Sequence, residues 1–297
     1  MQPNGAVTAP AERPHRPLVR LAILLAYILL LFLFEFAVVA VLGVAIPALR
    51  DAVQPAGARA ELGSALAGQL LVTGAVLAAV YVARRTLDAR SFVSLGFERR
   101  QAVPHLVGGA VAGVLLGLVV PVTLLAQGAR LVPGVATVAS AGAALALIIA
   151  AAVGEEVLFR GYGLTNLEEA WGTLPAVGLT TLLFAAYRML DNPHAGSWAF
   201  AGSLALGAAL AMVYVAYRSL WLTVSYHAAW NVVSGLLFGL PVSGLPLAGI
   251  LALHADAAPW LSGGAFGATA SILAVALHLL LGAAGIALWK RRAWQAA

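Results

Sequence analysis

The chain has 297 residues, of which 62% are hydrophobic and only 10% charged, with a formal net charge of +5 and no cysteine. A soluble globular domain carries about 25% charged residues, so this composition excludes a water-covered domain. The missing cysteines exclude disulfides, thiolate metal sites and cysteine catalysis.

The polar, Pro-rich stretch 1–20 reads as an N-terminal tail, and the apolar run after it as a retained first span, because it is too long for a signal-peptide core. Apolar runs of about 20 residues match the thickness of a bilayer. They predict eight spans, at Leu21–Leu49, Leu62–Val82, His105–Ala126, Val135–Val153, Leu174–Leu190, Trp198–Tyr217, Leu220–Leu240 and Phe266–Trp289. Val242–Leu253 is apolar but short and broken by Pro246, which suits a re-entrant or interfacial piece. The fold expected is therefore all-α, a polytopic transmembrane helical bundle forming one domain over 21–292, with 293–297 as a C-terminal tail. Alanine and glycine recur throughout the spans, and small residues allow close helix packing in lipid.

Arg13, Arg16 and Arg20 precede the first span, and Arg84, Arg85, Arg90, Arg99 and Arg100 fall between the second and third. Arg218 falls between the sixth and seventh, and Lys290, Arg291 and Arg292 follow the last. An even count puts all of them on one side, which the positive-inside rule makes cytoplasmic, together with both termini. Basic residues that cluster for topology do not point to nucleic acid. The expected localisation is a cell membrane, multi-pass.

Ionisable residues inside apolar runs are costly, and each is a functional candidate. They are Glu35, His105, Glu155, Glu156, Arg160, Arg188, His227 and His278, with Asn231 as a polar companion. In GEEVLFRGY, Glu156 and Arg160 stand four residues apart on one helix face, while Glu155 is turned about 100° away. One carboxylate is thus available for pairing and the other for general-base work, although the pair also reads as an ion pair ending the fourth span. His227 and Asn231, in SYHAAWN, share a face of the seventh span. They suit donors to an oxyanion, a metal ligand, or hydrogen bonds between helices. Arg188, in FAAYR, is either the far end of the fifth span or a buried counter-ion. Glu35 suits a partner such as Arg188 or a wet cavity, and His105 and His278 read as structural.

Taken in order, EEVLFR, FAAYR and HAAWN resemble the EExxxR, FxxxH and HxxxN motifs of the CPBP family, the CAAX proteases and bacteriocin-processing enzymes also called Abi, which includes the type II prenyl-protein endopeptidases. The motif core runs over about 141–234. The resemblance implies an intramembrane endopeptidase, metallo- or glutamate-type, with its site facing the cytoplasm. In it Glu155 activates water, Glu156 and Arg160 support it, and His227 and Asn231 stabilise the oxyanion. The implied cofactor stays open between a divalent metal such as zinc, held by His227 and Glu155, and none. The implied partners are a peptide or protein substrate, lipidated or not, and membrane lipids. One position departs from the pattern: Arg188 stands where the second motif ends in histidine. An arginine stays protonated, so it neither ligates a metal nor accepts a proton, and His194 lies beyond Pro193 on another face. The departure leaves two alternatives beside an intact protease: a weakened one, or a non-catalytic relative that binds a peptide, lipid or membrane partner as an immunity or scaffold protein. A solute transporter fits less well, because no inverted repeat is visible.

Overall fold

The computed structural model describes residues 18, 19, 21–23, 25, 26, 58–190 and 195–296. Glu35, His194 and most of the expected first span lie outside them. The described chain is a bundle of helices. In order these are α1 (Ala58–Thr86), α2 (Ala102–Gly117), α3 (Val119–Ala126), α4 (Val138–Glu156), α5 (Thr165–Trp171), α6 (Thr173–Leu190), α7 (Ser197–Tyr217), α8 (Leu220–Asn231), α9 (Pro259–Ser262) and α10 (Ile272–Ala296). β1 (Arg130–Pro133) and β2 (Leu251–His254) form an antiparallel pair, with Arg130 opposite His254 and Pro133 opposite Leu251.

Among the described residues six stretches are long and apolar enough to cross a membrane: Leu62–Thr86, Arg99–Ala126, Val138–Trp171, Thr173–Leu190, Ser197–Tyr217 and Ile272–Arg292. Two expectations change. The fourth span does not stop at Val153: it runs unbroken for 34 residues to Trp171, through a π-helical segment at Val157–Leu164. The seventh is a shorter helix, α8, continued by a second π-helical segment, Val232–Leu237, and is buried among its neighbours. Val242–Leu253 holds no helix, and β2 begins near its end.

The helices pack on small residues. Gly109, Gly113 and Gly117 recur every fourth position of α2 and face α8. A Cβ at Gly109 would stand 2.3 Å from the Leu222 carbonyl, and one at Gly113 2.5 Å from that of Tyr226. Glycine there lets the backbones meet, which raises dispersion where no hydrophobic drive separates helix from lipid. Gly154 brings α4 against Thr73 of α1 in the same way, and Thr73 Oγ1 donates to the Ala150 carbonyl at 2.9 Å.

The loops expected on the cytoplasmic side gather at one end of the bundle. Leu220 N–H donates to the Gly96 carbonyl at 2.9 Å, and Tyr214 Oη donates to the Leu95 carbonyl at 3.0 Å. Arg218 pairs with Glu168, Arg90 with Glu169, and Arg292 with the Ala216 carbonyl. At this end Val76, Val80, Ala83, Leu95, Val157, Tyr162, Leu164 and Leu220 form a solid core. The opposite end carries the β1–β2 pair and the loop over 238–250, whose Ile250 carbonyl accepts from Gly134 N–H at 2.9 Å.

Candidate active site

Glu155 and Glu156 close the last turn of α4, halfway along the 34-residue segment. Glu156 is fully buried. Its Oε1 accepts from Arg160 Nη1 at 2.9 Å, and His227 Nδ1 stands 3.1 Å away. Arg160 Nη2 donates to the Gly207 carbonyl at 3.2 Å, and the guanidinium lies 4.2 Å over the Phe184 ring. The pairing expected from the four-residue spacing is present, deep in the bundle rather than at a membrane surface.

Glu155 points the other way, with 15% of its side chain open. Arg188 comes to it from the last turn of α6, fifteen residues after Thr173, or roughly 22 Å along the helix. Arg188 Nη1 donates to Glu155 Oε2 at 3.2 Å and lies 3.3 Å from His227 Nε2, while the two acceptors are 3.8 Å apart. Arg188 Nη2 donates to Ser243 Oγ. Both sequence readings of Arg188 are met: it stands in the last turn of the helix, at the far end of the fifth span, and is at the same time a counter-ion, 3% exposed. These contacts fix the imidazole. Nε2 faces an arginine N–H and must accept, so Nδ1 carries the proton and donates to Glu156. His227 therefore ties Glu156 to Arg188, and the four charged side chains sum to zero.

A cavity of about 360 Å³ borders this group. Glu155, Tyr187, Arg188, Asn231, Ser243 and Gln69 supply its polar groups, and Ala65, Leu147, Ile148, Ala151, Val242 and Leu245 much of its apolar wall. Four of the sequence candidates thus meet at one cavity wall or directly behind it: Glu155, Arg188 and Asn231 line it, and His227 touches two of them. Glu156 and Arg160 stand behind. His105 packs against Tyr217 with ring centroids 5.9 Å apart, and His278 against Trp230 at 4.6 Å, neither joining the cavity wall. Ser243 was not legible beforehand. It lies in an irregular loop with φ +50°, a backbone conformation uncommon outside glycine, and nothing in PVSGLP marks it as an arginine partner.

The donor set does not fit a divalent metal. Glu155 Oε2 and His227 Nε2, the two atoms that would ligate one, already share Arg188 Nη1, so an added cation would face a guanidinium. Among the described residues no three His, Cys, Asp or Glu side chains are grouped to hold a metal.

Residues 137–233 match the family model described as type II CAAX prenyl endopeptidase Rce1-like. No match to a curated protein or to a solved structure was found. The matched segment contains all three motifs and every residue of the charged cluster except Ser243, so the family that the motif order resembles and the family whose model matches are the same.

Proposed function

We propose that the chain is an intramembrane endopeptidase in which Glu155 is the general base. The observation that carries this reading is the pairing of a partly open carboxylate with buried, pre-aimed N–H donors at one cavity wall, inside the segment matching a protease family. Glu155 takes a proton from water as the water oxygen attacks the peptide carbonyl carbon. The carbonyl π electrons move to oxygen, and the C–N bond then breaks as Glu155 returns the proton to the leaving amine. Neutralising Glu155 releases Arg188, whose guanidinium and the Asn231 amide are the donors for the oxyanion. His227, acceptor from Arg188 and donor to Glu156, positions Arg188. The cluster begins neutral and ends the step with one excess positive charge beside one oxyanion, so no net buried charge develops. The role expected for His227 at the oxyanion passes to Arg188, because the imidazole proton is committed to Glu156.

Cleavage of a quenched apolar peptide in liposomes tests this. Glu155→Gln abolishes it, and Asn231→Ala lowers kcat by about 10²–10³-fold, as loss of one oxyanion donor does. Cleavage by the native chain that survives Glu155→Gln refutes the assignment. A second reading, a binding protein without activity, is favoured by one distance: Arg188 Nη1 takes the position between Glu155 and His227 that water would occupy. An inert native chain that gains cleavage on Arg188→His establishes that reading instead.

A further inference from the structure

We infer that the cavity is entered from the face opposite the arginine-rich loops, so that the peptide it takes is extracytoplasmic. The expectation drawn from the family resemblance was a cytoplasmic opening; the depth of the lining residues argues otherwise.

The helices that build the cavity give a common depth scale. α1 and α4 run parallel: Leu62 packs near Ala141, Thr73 bonds to Ala150, and Val76 to Ala83 lie with Val157 to Leu164. Both end at the arginine-rich face, α1 with Arg84 and Arg85 in its last turn. α6 and α8 run the other way, starting from that face. On this scale every lining residue sits at the level of Glu155 or farther from the arginine-rich loops. Gln69 and Ala65 are fifteen and nineteen residues before Arg84, about 22 and 28 Å along α1. Leu147 is two turns beyond Glu155 in the same direction. Asn231 is one turn beyond His227, and Val242 and Leu245 belong to the loop at the opposite end.

Toward the arginine-rich face the described residues are closely packed. Glu156, Val157, Tyr162, Leu164, Leu95, Leu220 and Thr223 are each fully buried, and Arg160 and His227 are 1% exposed. That packing forms a floor beneath Glu155. Among the described residues Arg84, Arg85, Arg90, Arg99, Arg100, Arg218, Lys290, Arg291 and Arg292 lie on that side, against Arg130 on the other, which by the positive-inside rule makes the packed side cytoplasmic. The wall chemistry names the occupant: small and branched apolar side chains, interrupted by the Gln69 amide and leading to a carboxylate, a guanidinium, an amide and the Ser243 hydroxyl, fit an extended peptide segment with an apolar side chain near the bond held at Glu155. The side of entry is independent of catalysis; the nature of the occupant rests on the peptidase reading above.

The absence of cysteine allows a direct test with the full chain in cells. Single variants Ala151→Cys and Ala65→Cys place a thiol on the cavity wall, Val135→Cys marks the far face and Gln101→Cys the arginine-rich face. A charged, membrane-impermeant maleimide is applied to intact cells and to inverted membrane vesicles. The expected result is that Ala151→Cys and Ala65→Cys react in intact cells together with Val135→Cys, while Gln101→Cys reacts only in inverted vesicles. Reaction of the two cavity thiols only in inverted vesicles overturns the inference, as does no reaction from either side while both markers react. Peptide cleavage by the same two variants reads the peptidase assignment separately, so loss of one conclusion is distinguishable from loss of the other.

Discussion

Removing the positive charge of Arg160 should be among the most damaging single changes in the molecule. The guanidinium is 1% exposed and serves a carboxylate that is fully buried, with 2.9 Å between Nη1 and Glu156 Oε1. Charge centres about 4 Å apart attract by about 4 kcal/mol at an effective dielectric near 20. Breaking one partner out of a buried pair costs about 3–5 kcal/mol, because the other is left uncompensated. Arg160→Met keeps the packing on Phe184 and loses both the ion pair and the bond to the Gly207 carbonyl, so a loss of about 4 kcal/mol is expected. Glu156→Gln in the same chain removes the stranded charge, and the double variant should recover about 2 kcal/mol or more. Reversible unfolding in mixed detergent micelles, followed by tryptophan fluorescence, measures all four corners of the cycle. A loss below about 1 kcal/mol for Arg160→Met, or additive effects in the double variant, would show that Glu156 is not held by this arginine.

Four further outcomes follow from other contacts. Arg188→His replaces the intervening cation with a third ligand beside Glu155 and His227, so the variant should bind about one equivalent of zinc by metal analysis after dialysis, and lose it on adding His227→Ala; equal zinc in the native chain would contradict the present reading of the donor set. Gly113→Ala puts a methyl 2.5 Å from the Tyr226 carbonyl, and should cost about 1–3 kcal/mol in the micelle assay by forcing α2 from α8. Arg218→Ala breaks a pair with Glu168 in which the arginine side chain is 50% exposed, so its cost should stay below about 1 kcal/mol and shrink with added salt. Ser243→Ala frees one arm of Arg188 without touching Glu155; it should lower kcat for the apolar peptide more than it raises KM.

Much of this was written in local spacing. The Glu156–Arg160 pair and the shared face of His227 and Asn231 need only four-residue periodicity, which survives even where the helix widens. The membrane class itself follows from composition and run length. What spacing does not carry is depth and long-range partnership. A run that turns polar at Gly154 reads as a span ending there, yet buried pairing with Arg160 lets the helix continue to Trp171. Counting along the run places Arg188 at the span's far end, but its part as a counter-ion depends on residues 33 and 55 positions away, Glu155 and Ser243. The side on which the cavity lies depends on the mutual depth of four helices, information that no single run contains.

The widened turn at Val157–Leu164 also sets how the motif helix can be altered. A π-helical stretch takes in an extra residue relative to an α-helix, and each residue added or removed rotates everything downstream by about 100°. The surplus is absorbed locally: Thr165 Oγ1 donates to the Gly161 carbonyl at 2.6 Å and Asn166 Nδ2 to that of Tyr162 at 3.0 Å. Deleting one residue here to regularise the helix would leave Glu155 in place while swinging Glu168 away from Arg218 and Thr173. Homologues that differ by a one-residue gap between the paired glutamates and the following helix would therefore differ in how the motif helix is anchored to α6 and to the end of α7, and a gap at that point carries structural meaning.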